Sequence, residues 1–322
     1  MPDAEEPLGG EQVKASATRC LVGVFAALVF FAGVAGAAAD PLAVVATTSD
    51  LKSLAEAIGG DKVRVAVLVP LGTDAEAFEP RPSHLALLRN AGLVLRVGLG
   101  YDEWLDKLLR QNADPKLLRG GIGNIDASVG IPLLEVQGRS VETVAGHPHG
   151  AANPHYWLDP ANAEAITAAI AEGLIRVMPE ETDTFIANRD RILVLLKERL
   201  VRWTVVMAPF RGSPVVAYHN SWPYFARRFH LDVVEVIEPK EGIAPSPARL
   251  ATVAATMRAR RVRAILQEQF VPDDAARLLA RKTNAAVVVL APSVGAVSEA
   301  SDYLSLFDYD IDTLRRALSS GS

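Results

Sequence analysis

Short apolar runs that alternate with helix-like segments constrain the fold of this chain more strongly than any other feature of its sequence. In the first half, strands are predicted at Leu42–Thr48, Val63–Pro70 and Leu93–Gly98, and a helix at Ser49–Ile58. The second half repeats the pattern, with strands predicted at Pro214–Tyr218, Val233–Ile237, Ala264–Gln267 and Ala286–Leu290 and helices at Pro247–Arg258 and Asp273–Lys282. Strands without polar alternation are buried on both faces, which is typical of parallel sheets covered by helices.

The segment from Glu180 to Met207 contains neither glycine nor proline, and its apolar residues recur at helical spacing. Pro179 suits the start of a helix and Pro209 suits its end. A helix of this length spans roughly 40 Å, at about 1.5 Å per residue. We therefore predict an α/β protein of two lobes, each a mostly parallel sheet flanked by helices, joined by one long rigid α-helix.

The N-terminal region carries an apolar run from Cys20 to Ala39, which Arg19 precedes and which ends in three alanines before Asp40. A basic residue, an apolar centre and small closing residues are typical of a cleaved export signal. A retained membrane anchor is the alternative, because the run has about the 20 residues that a membrane-spanning helix needs. The lipid-bearing cysteine of a lipoprotein follows such a run, whereas Cys20 begins it, so we do not expect lipidation.

These features predict a signal peptide at 1–39, an N-terminal lobe at 40–178, a linking helix at 179–209 and a C-terminal lobe at 210–322 of a periplasmic protein. The net charge of −5 and the pI near 5.8 argue against nucleic acid as a partner, because polyanion binding needs a basic face. Cys20 is the only cysteine, so the mature chain would have no thiolate. Any metal site must then use histidine and carboxylate ligands.

His155 lies in a segment, Asn153 to Pro160, whose prolines restrict the backbone on both sides of a short aromatic element. Such rigid placement suits a metal ligand, although a histidine that simply fills the core is an equal alternative. Asp159 is expected either to cap the helix that begins at Pro160 or to orient His155 from behind the metal site.

Three further candidates follow predicted strands, where ligands bind in open parallel sheets. His219 follows the strand that ends at Tyr218, and the alternative is an ordinary hydrogen-bonded histidine. Glu76 lies in an acidic loop bounded by prolines, and that loop could equally be a solvated one. Glu268 ends a strand among apolar neighbours, so its charge needs a partner such as a cation.

His147 and His149 occupy a stretch rich in glycine and alanine, which predicts an exposed loop or a loop that collects metal ions. Sequence motifs for hydrolytic serine, for a phosphate-binding loop and for zinc proteases of the H-E-x-x-H type do not occur. Gly98-Leu99-Gly100 follows a strand but lacks the third glycine of a dinucleotide-binding turn. We therefore do not expect an enzyme.

Several separated motifs occur in an order that a known family shares. They are VVATT from Val44, GGDKV from Gly59, LVP from Leu68, EPRPS from Glu79, GLG from Gly98, the segment from Asn153 to Pro160, FARRF from Phe225, IEP from Ile237 and PSP from Pro245. Together they span essentially the whole mature chain, which resembles the periplasmic solute-binding proteins of zinc- and manganese-type ABC importers.

The resemblance implies two α/β lobes, a rigid linking helix and one metal ion in the cleft between the lobes. Glu76 matches the first ligand position, where the family normally has histidine, and His155 matches the second. His219 matches the third, which is histidine in zinc-type and glutamate in manganese-type members. The family's fourth ligand, an aspartate after the last strand, has no counterpart in Ala291–Gly295. Glu268, a water molecule or another side chain could fill that position.

The expected function is capture of a divalent transition metal and its delivery to an ABC permease in the inner membrane by a monomeric protein. Zinc is favoured because of His219 and because His147 and His149 look like a short form of the histidine-rich loop of zinc-type members. Manganese or iron(II) in the same role and a surface adhesin remain alternatives, and a metallohydrolase is a further class.

Overall fold

A computed structural model describes residues 40–135, 152–240 and 242–320 of the chain. The predicted signal peptide at 1–39 and the predicted metal-collecting residues His147 and His149 lie outside the described residues. Within these ranges, no helix combines the length and the apolar character that crossing a membrane requires.

The first sheet is built from four parallel strands: β1 at Leu42–Ala46, β2 at Val63–Val67, β3 at Leu93–Arg96 and β4 at Asn124–Asp126. Their order across the sheet is β2-β1-β3-β4. The helices of this lobe are α1 at Ser49–Gly59, α2 at Leu85–Leu88, α3 at Trp104–Asn112 and α4 at Ala163–Val177. The side chains of β3 and of the last three residues of β1 are buried on both faces of the sheet, as the unbroken apolar runs predict.

The second sheet also has four parallel strands: β5 at Pro214–Ala217, β6 at Asp232–Val236, β7 at Ala264–Glu268 and β8 at Ala286–Leu290. Their order is β6-β5-β7-β8, the same arrangement as in the first sheet. The helices of this lobe are α6 at Pro223–Phe229, α7 at Pro247–Arg260, α8 at Asp274–Thr283 and α9 at Tyr303–Ser319. The predicted two-lobe α/β architecture is thereby confirmed.

One long helix, α5 at Thr182–Met207, joins the lobes; its 26 residues span about 39 Å. Asn188 Nδ2 donates a hydrogen bond to the Ile58 carbonyl of α1 over 2.9 Å. At the other end, Asp308 of α9 accepts a hydrogen bond from Trp203 Nε1 over 2.8 Å and pairs with two arginines of α5. Because both lobes are bonded to the same helix, it holds them together along its length.

The strand order of each sheet places a crossover beside its first strand, and in parallel sheets the loops at such a switch point form a crevice. The crevices of the two sheets face each other, since the first turn of α1, which follows β1, is bonded to the loop after β8. Ser49 Oγ donates a hydrogen bond to the Val294 carbonyl over 2.6 Å, and Val294 N–H donates to Asp50 Oδ1 over 2.9 Å. The carboxyl ends of both sheets therefore enclose a common cavity.

Candidate metal centre

Three side chains predicted from the sequence converge in this cavity: Glu76, His155 and His219. Each offers a ligand atom, and these atoms lie within 4.8 Å of one another. Glu76 Oε2 is 3.1 Å from His219 Nε2 and 3.9 Å from His155 Nε2. The three side chains are only 5 to 7% exposed. Two imidazole nitrogens and one carboxylate at this spacing could hold a divalent transition metal.

The loop after β2 positions Glu76. Asp74 Oδ1 accepts a hydrogen bond from the Glu76 backbone N–H over 2.9 Å, which makes a tight turn just before the candidate ligand. Trp104 Nε1 of α3 donates to the Ala75 carbonyl over 3.3 Å, which fixes the loop to the lobe. Burial raises the pKa of Asp74, and the nearby Glu76 carboxylate adds to this effect.

Asn153 and two aromatic rings hold the imidazole of His155. The amide oxygen of Asn153 accepts the His155 backbone N–H over 3.0 Å and lies 3.2 Å from Nδ1 of the ring. Trp157 and Tyr101 lie against the ring at centroid distances of 5.2 and 5.6 Å. Asn153 Nδ2 also donates to the carbonyl of Asn220, directly after His219, over 3.0 Å. One amide thus connects the positions of both candidate histidines.

Glu238, in the loop after β6, determines the orientation of the His219 ring. Its Oε2 lies 2.6 Å from Nδ1 of His219, while its Oε1 accepts the Gly242 N–H over 2.7 Å. A ring that donates from Nδ1 to a carboxylate presents Nε2 as the ligand atom, which is the usual support of a metal-binding histidine. Sequence analysis missed both Asn153 and Glu238 as supporting residues.

The electrostatics of the cavity favour a cation. Burial alone would lower the pKa of His219, but its hydrogen bonds to Glu238 and Glu76 outweigh burial and raise the pKa well above its usual range. In the metal-free protein, His219 therefore holds a proton between two carboxylates. A divalent cation bound at Nε2 would displace that proton and neutralise the same carboxylates.

Glu268, one of the candidates predicted for the fourth ligand, lies outside this group, and its role as a ligand stays a prediction. Its Oε1 accepts hydrogen bonds from Ser221 Oγ over 2.9 Å and from Trp222 Nε1 over 2.8 Å. Within the described ranges, the ligand atoms that lie within 4.8 Å of one another belong to the three residues above and leave Glu268 out. Burial raises the pKa of Glu268, while His219 and the hydrogen bond from Ser221 oppose this. The carboxylate fixes the backbone segment that follows His219.

Asp159 caps the short turn that begins at Pro160, which is one of the two roles predicted for it from the sequence. Its Oδ1 accepts the Ala161 N–H over 3.0 Å at the start of a short turn, and the fully buried carboxylate pairs with Arg228 of α6 over 2.6 Å. The second predicted role is to orient the His155 ring, but the side chain that contacts this ring at Nδ1 is Asn153. Because Arg228 belongs to the C-terminal lobe, the Asp159 pair bridges the two lobes.

Comparison with known proteins decides the family. The family described as zinc-uptake complex component A, periplasmic, matches residues 44–317 of the chain. The chain belongs to this family. The resemblance predicted from separated sequence motifs is thereby confirmed, and the zinc-uptake family is one of periplasmic binding components.

Individual relatives of this protein have low sequence identity to it, but the similarity extends over most of their length. A putative metal-binding protein of Treponema pallidum is 27% identical over 284 residues, which is 87% of this chain and 88% of the relative. The manganese-binding lipoprotein MntA of Halalkalibacterium halodurans is 25% identical and covers 87% of this chain and 89% of its own.

Among solved structures, a zinc-bound deletion mutant of ZnuA is 28% identical, with a TM-score of 0.73 over 86% of this chain and 98% of its own. FpvC of Pseudomonas aeruginosa in complex with Mn²⁺ has a TM-score of 0.75 at 23% identity over 87% of this chain and 99% of its own, a likeness that concerns the fold alone. The chain therefore has similar proteins named for zinc and for manganese, and these names leave the choice of metal to the site itself.

Proposed function

We propose that this protein captures one divalent transition-metal ion between its lobes and delivers it to an ABC permease in the inner membrane. Glu76, His155 and His219 are the proposed ligands. The observation that carries the proposal is the convergence of their three ligand atoms, from three separate loops of both lobes, within 4.8 Å. Family membership and the metal-binding relatives support the same function.

Zinc is the proposed cargo, ahead of manganese or iron(II). The cavity that the three ligands line has a volume of only about 30 Å³. A water molecule requires about 10–15 Å³ of such space, so the cavity accepts a cation and one further small group. Four-coordinate zinc fits this room, whereas manganese prefers about six ligands with more oxygen among them. Iron(II) accepts the same two histidines and one carboxylate, which makes it the closest competitor.

The small cavity and the charge of the chain bear on catalysis and on nucleic-acid binding. We propose that the protein is not an enzyme, because the cavity has no room for an organic substrate beside the cation. We also propose that it acts as a monomer. It acts without nucleic acid, in keeping with its net charge of −5.

We propose export to the periplasm by the signal at 1–39 without a lipid on Cys20. The position of Cys20 at the start of the apolar run supports this proposal, although the relative MntA is named as a lipoprotein. Metabolic labelling with a fatty-acid analogue tests it, with Cys20→Ser as the control. A label that is present in the wild type and lost in Cys20→Ser would show that the cysteine is lipidated.

The deciding experiment is elemental analysis of the purified protein together with thermal unfolding in the presence of zinc, manganese and iron(II). We expect one zinc ion per chain and a rise in melting temperature that Glu76→Ala and His219→Ala abolish. Glu79→Ala is the matched control, because Glu79 lies three residues from Glu76 in the same loop but is exposed. No bound metal and no thermal shift with any ion would overturn the proposed function.

A further inference from the structure

Asp50 lines the same cavity as Glu76, His155 and His219 and has no assigned role. It occupies the first turn of α1, and its side chain is only 1% exposed.

The two carboxylate oxygens of Asp50 have different surroundings. Oδ1 accepts the Val294 N–H from the loop after β8 over 2.9 Å. Oδ2 is buried as well, and it has no hydrogen-bond partner among the residues that the structure describes. A buried carboxylate oxygen without a partner is costly, so it calls for a polar partner within the cavity.

Within the described residues, Asp310 is a second buried aspartate with one unpartnered oxygen, but it lies away from the cavity. It too is fully buried, its Oδ1 accepts the Ala291 N–H over 2.8 Å, and its Oδ2 lacks a partner among the described residues. However, Asp310 does not belong to the residues that line the metal cavity. Of these two aspartates, Asp50 is therefore the one whose unpartnered oxygen points to a ligand, because a cation would be close by.

The position of Asp50 fits an indirect contact with the cation better than a direct one. Asp50 is not part of the group whose ligand atoms lie within 4.8 Å of one another. A water molecule on zinc lies about 2.0–2.2 Å from the ion, and its hydrogen bond to a carboxylate adds about 2.7 Å. This bridge reaches a carboxylate that lies outside the ligand group, and the cavity has room for one such water beside the cation.

We propose that Oδ2 of Asp50 accepts a hydrogen bond from a water molecule that occupies the fourth coordination position of the bound cation. This inference rests on the proposed metal-binding function and names the residue that completes its site. Through Oδ1 and Val294, the same carboxylate connects the bound ion to the loop after β8. Residues 291–295 of that loop contain no side chain that could itself bind the cation through a carboxylate or an imidazole.

The test compares Asp50→Asn with Asp310→Asn and the wild type. The Asp50→Asn substitution keeps the size of the side chain and an oxygen that accepts the Val294 N–H. It replaces Oδ2 with an amide NH₂ group, which cannot accept the hydrogen bond that the water donates. We expect the zinc affinity, measured by competition with a chromophoric chelator, to fall about 10- to 100-fold in Asp50→Asn. Asp310→Asn is expected to keep the wild-type affinity within about threefold.

A second measurement detects the water directly in the wild-type protein, so it does not depend on the folding of any variant. The protein is loaded with Co²⁺ and transferred to water enriched in a magnetic oxygen isotope, and its electron–nuclear double resonance spectrum is recorded. We expect the coupling of one coordinated water. Absence of that coupling, or an Asp50→Asn affinity equal to the wild type, would overturn the inference. Failure of the wild type to bind any ion would instead overturn the proposed function.

Discussion

Nδ1 of His219 lies 2.6 Å from Oε2 of Glu238, a short contact between two side chains that are both at most 10% exposed. The carboxylate is itself fixed, because its other oxygen accepts the Gly242 N–H. His155 has a different support, since the amide oxygen of Asn153 is neutral. The two candidate ligands therefore differ in basicity, and His219 is the stronger electron donor to a cation.

Glu238→Gln is expected to weaken zinc binding by about 10- to 100-fold, because the amide no longer raises the basicity of the His219 ring. The pKa of His219 should fall in the same variant, since the hydrogen bond to Glu238 is the largest effect that raises it. Chelator competition measures the affinity, and a proton NMR titration of the metal-free protein measures the pKa.

Glu235→Gln is the matched control for this prediction. Glu235 lies in β6, three residues before Glu238, and pairs with Arg249 over 2.7 Å away from the ligand group. Equal losses of affinity in the two variants would contradict a specific role for Glu238.

Asp159→Asn is expected to lower the free energy of unfolding by roughly 3–5 kcal/mol, because it leaves Arg228 without its buried partner. The true loss should lie near the lower end, since Arg228 is one-third exposed and solvent screens the pair. Zinc affinity should stay within about threefold of the wild type, as the Asn153 amide still holds His155.

Asn153→Ala is the companion variant. It should lose zinc affinity, because the His155 ring loses its contact with the Asn153 amide oxygen. Urea unfolding and chelator competition separate the two effects. A large loss of zinc affinity in Asp159→Asn at unchanged stability would support the orienting role that the sequence analysis also offered for this residue.

The stability of the metal-free protein should depend on pH through Asp50. Burial raises its pKa from 3.8 to about 7, so the folded state binds this proton more tightly than the unfolded state does. The contribution to stability is therefore present at low pH and is lost as the pH rises from about 4 to about 7, by at most roughly 4 kcal/mol.

In Asp50→Asn this part of the pH dependence should disappear, and the metal-free variant should be more stable than the wild type at pH 8. Urea unfolding of both proteins at pH 5 and pH 8 measures the difference. An identical pH dependence in the two proteins would show that Asp50 does not bind this proton.

Gly295→Ala should destabilise the protein more than Gly120→Ala. Both glycines have φ near +80°, which costs an alanine about 1 kcal/mol. A Cβ at Gly295 would also lie 2.9 Å from Leu71 Cδ2 in the loop that carries Glu76, whereas a Cβ at Gly120 meets nothing within 4 Å. Leu71 is exposed and its side chain can turn aside, so the additional loss should be small.

The small excess loss in Gly295→Ala should appear in the thermal unfolding midpoint, whereas the rate of zinc release should stay as in the wild type because the Leu71 side chain moves without the loop. The double variant Leu71→Ala/Gly295→Ala removes the contact and should abolish the excess loss. Equal effects in Gly295→Ala and Gly120→Ala would show that this contact between the loops is unimportant.

The sequence by itself determined the elements of the fold, because their signals are local. Seven of the eight strands follow from apolar runs, and α5 follows from a long segment without glycine or proline. The strand β4 was missed, since its three residues contain a single apolar side chain. The ends of the predicted strands also indicated Glu76 and His219, as ligands bind at the carboxyl ends of parallel strands.

Only the tertiary structure decided which side chains meet in the cavity. Glu238 lies just after β6 and Glu268 ends β7, and their local sequences do not distinguish the residue that supports His219 from the one that fixes Ser221. The contact between Asp50 and Val294 joins residues that are 244 positions apart, and that between Asn153 and Asn220 spans 67. The lobe boundaries and the role of His147 and His149 stay predictions. Such contacts depend on how two separately folded sheets pack against each other, and residue periodicity within one segment carries no information about that packing.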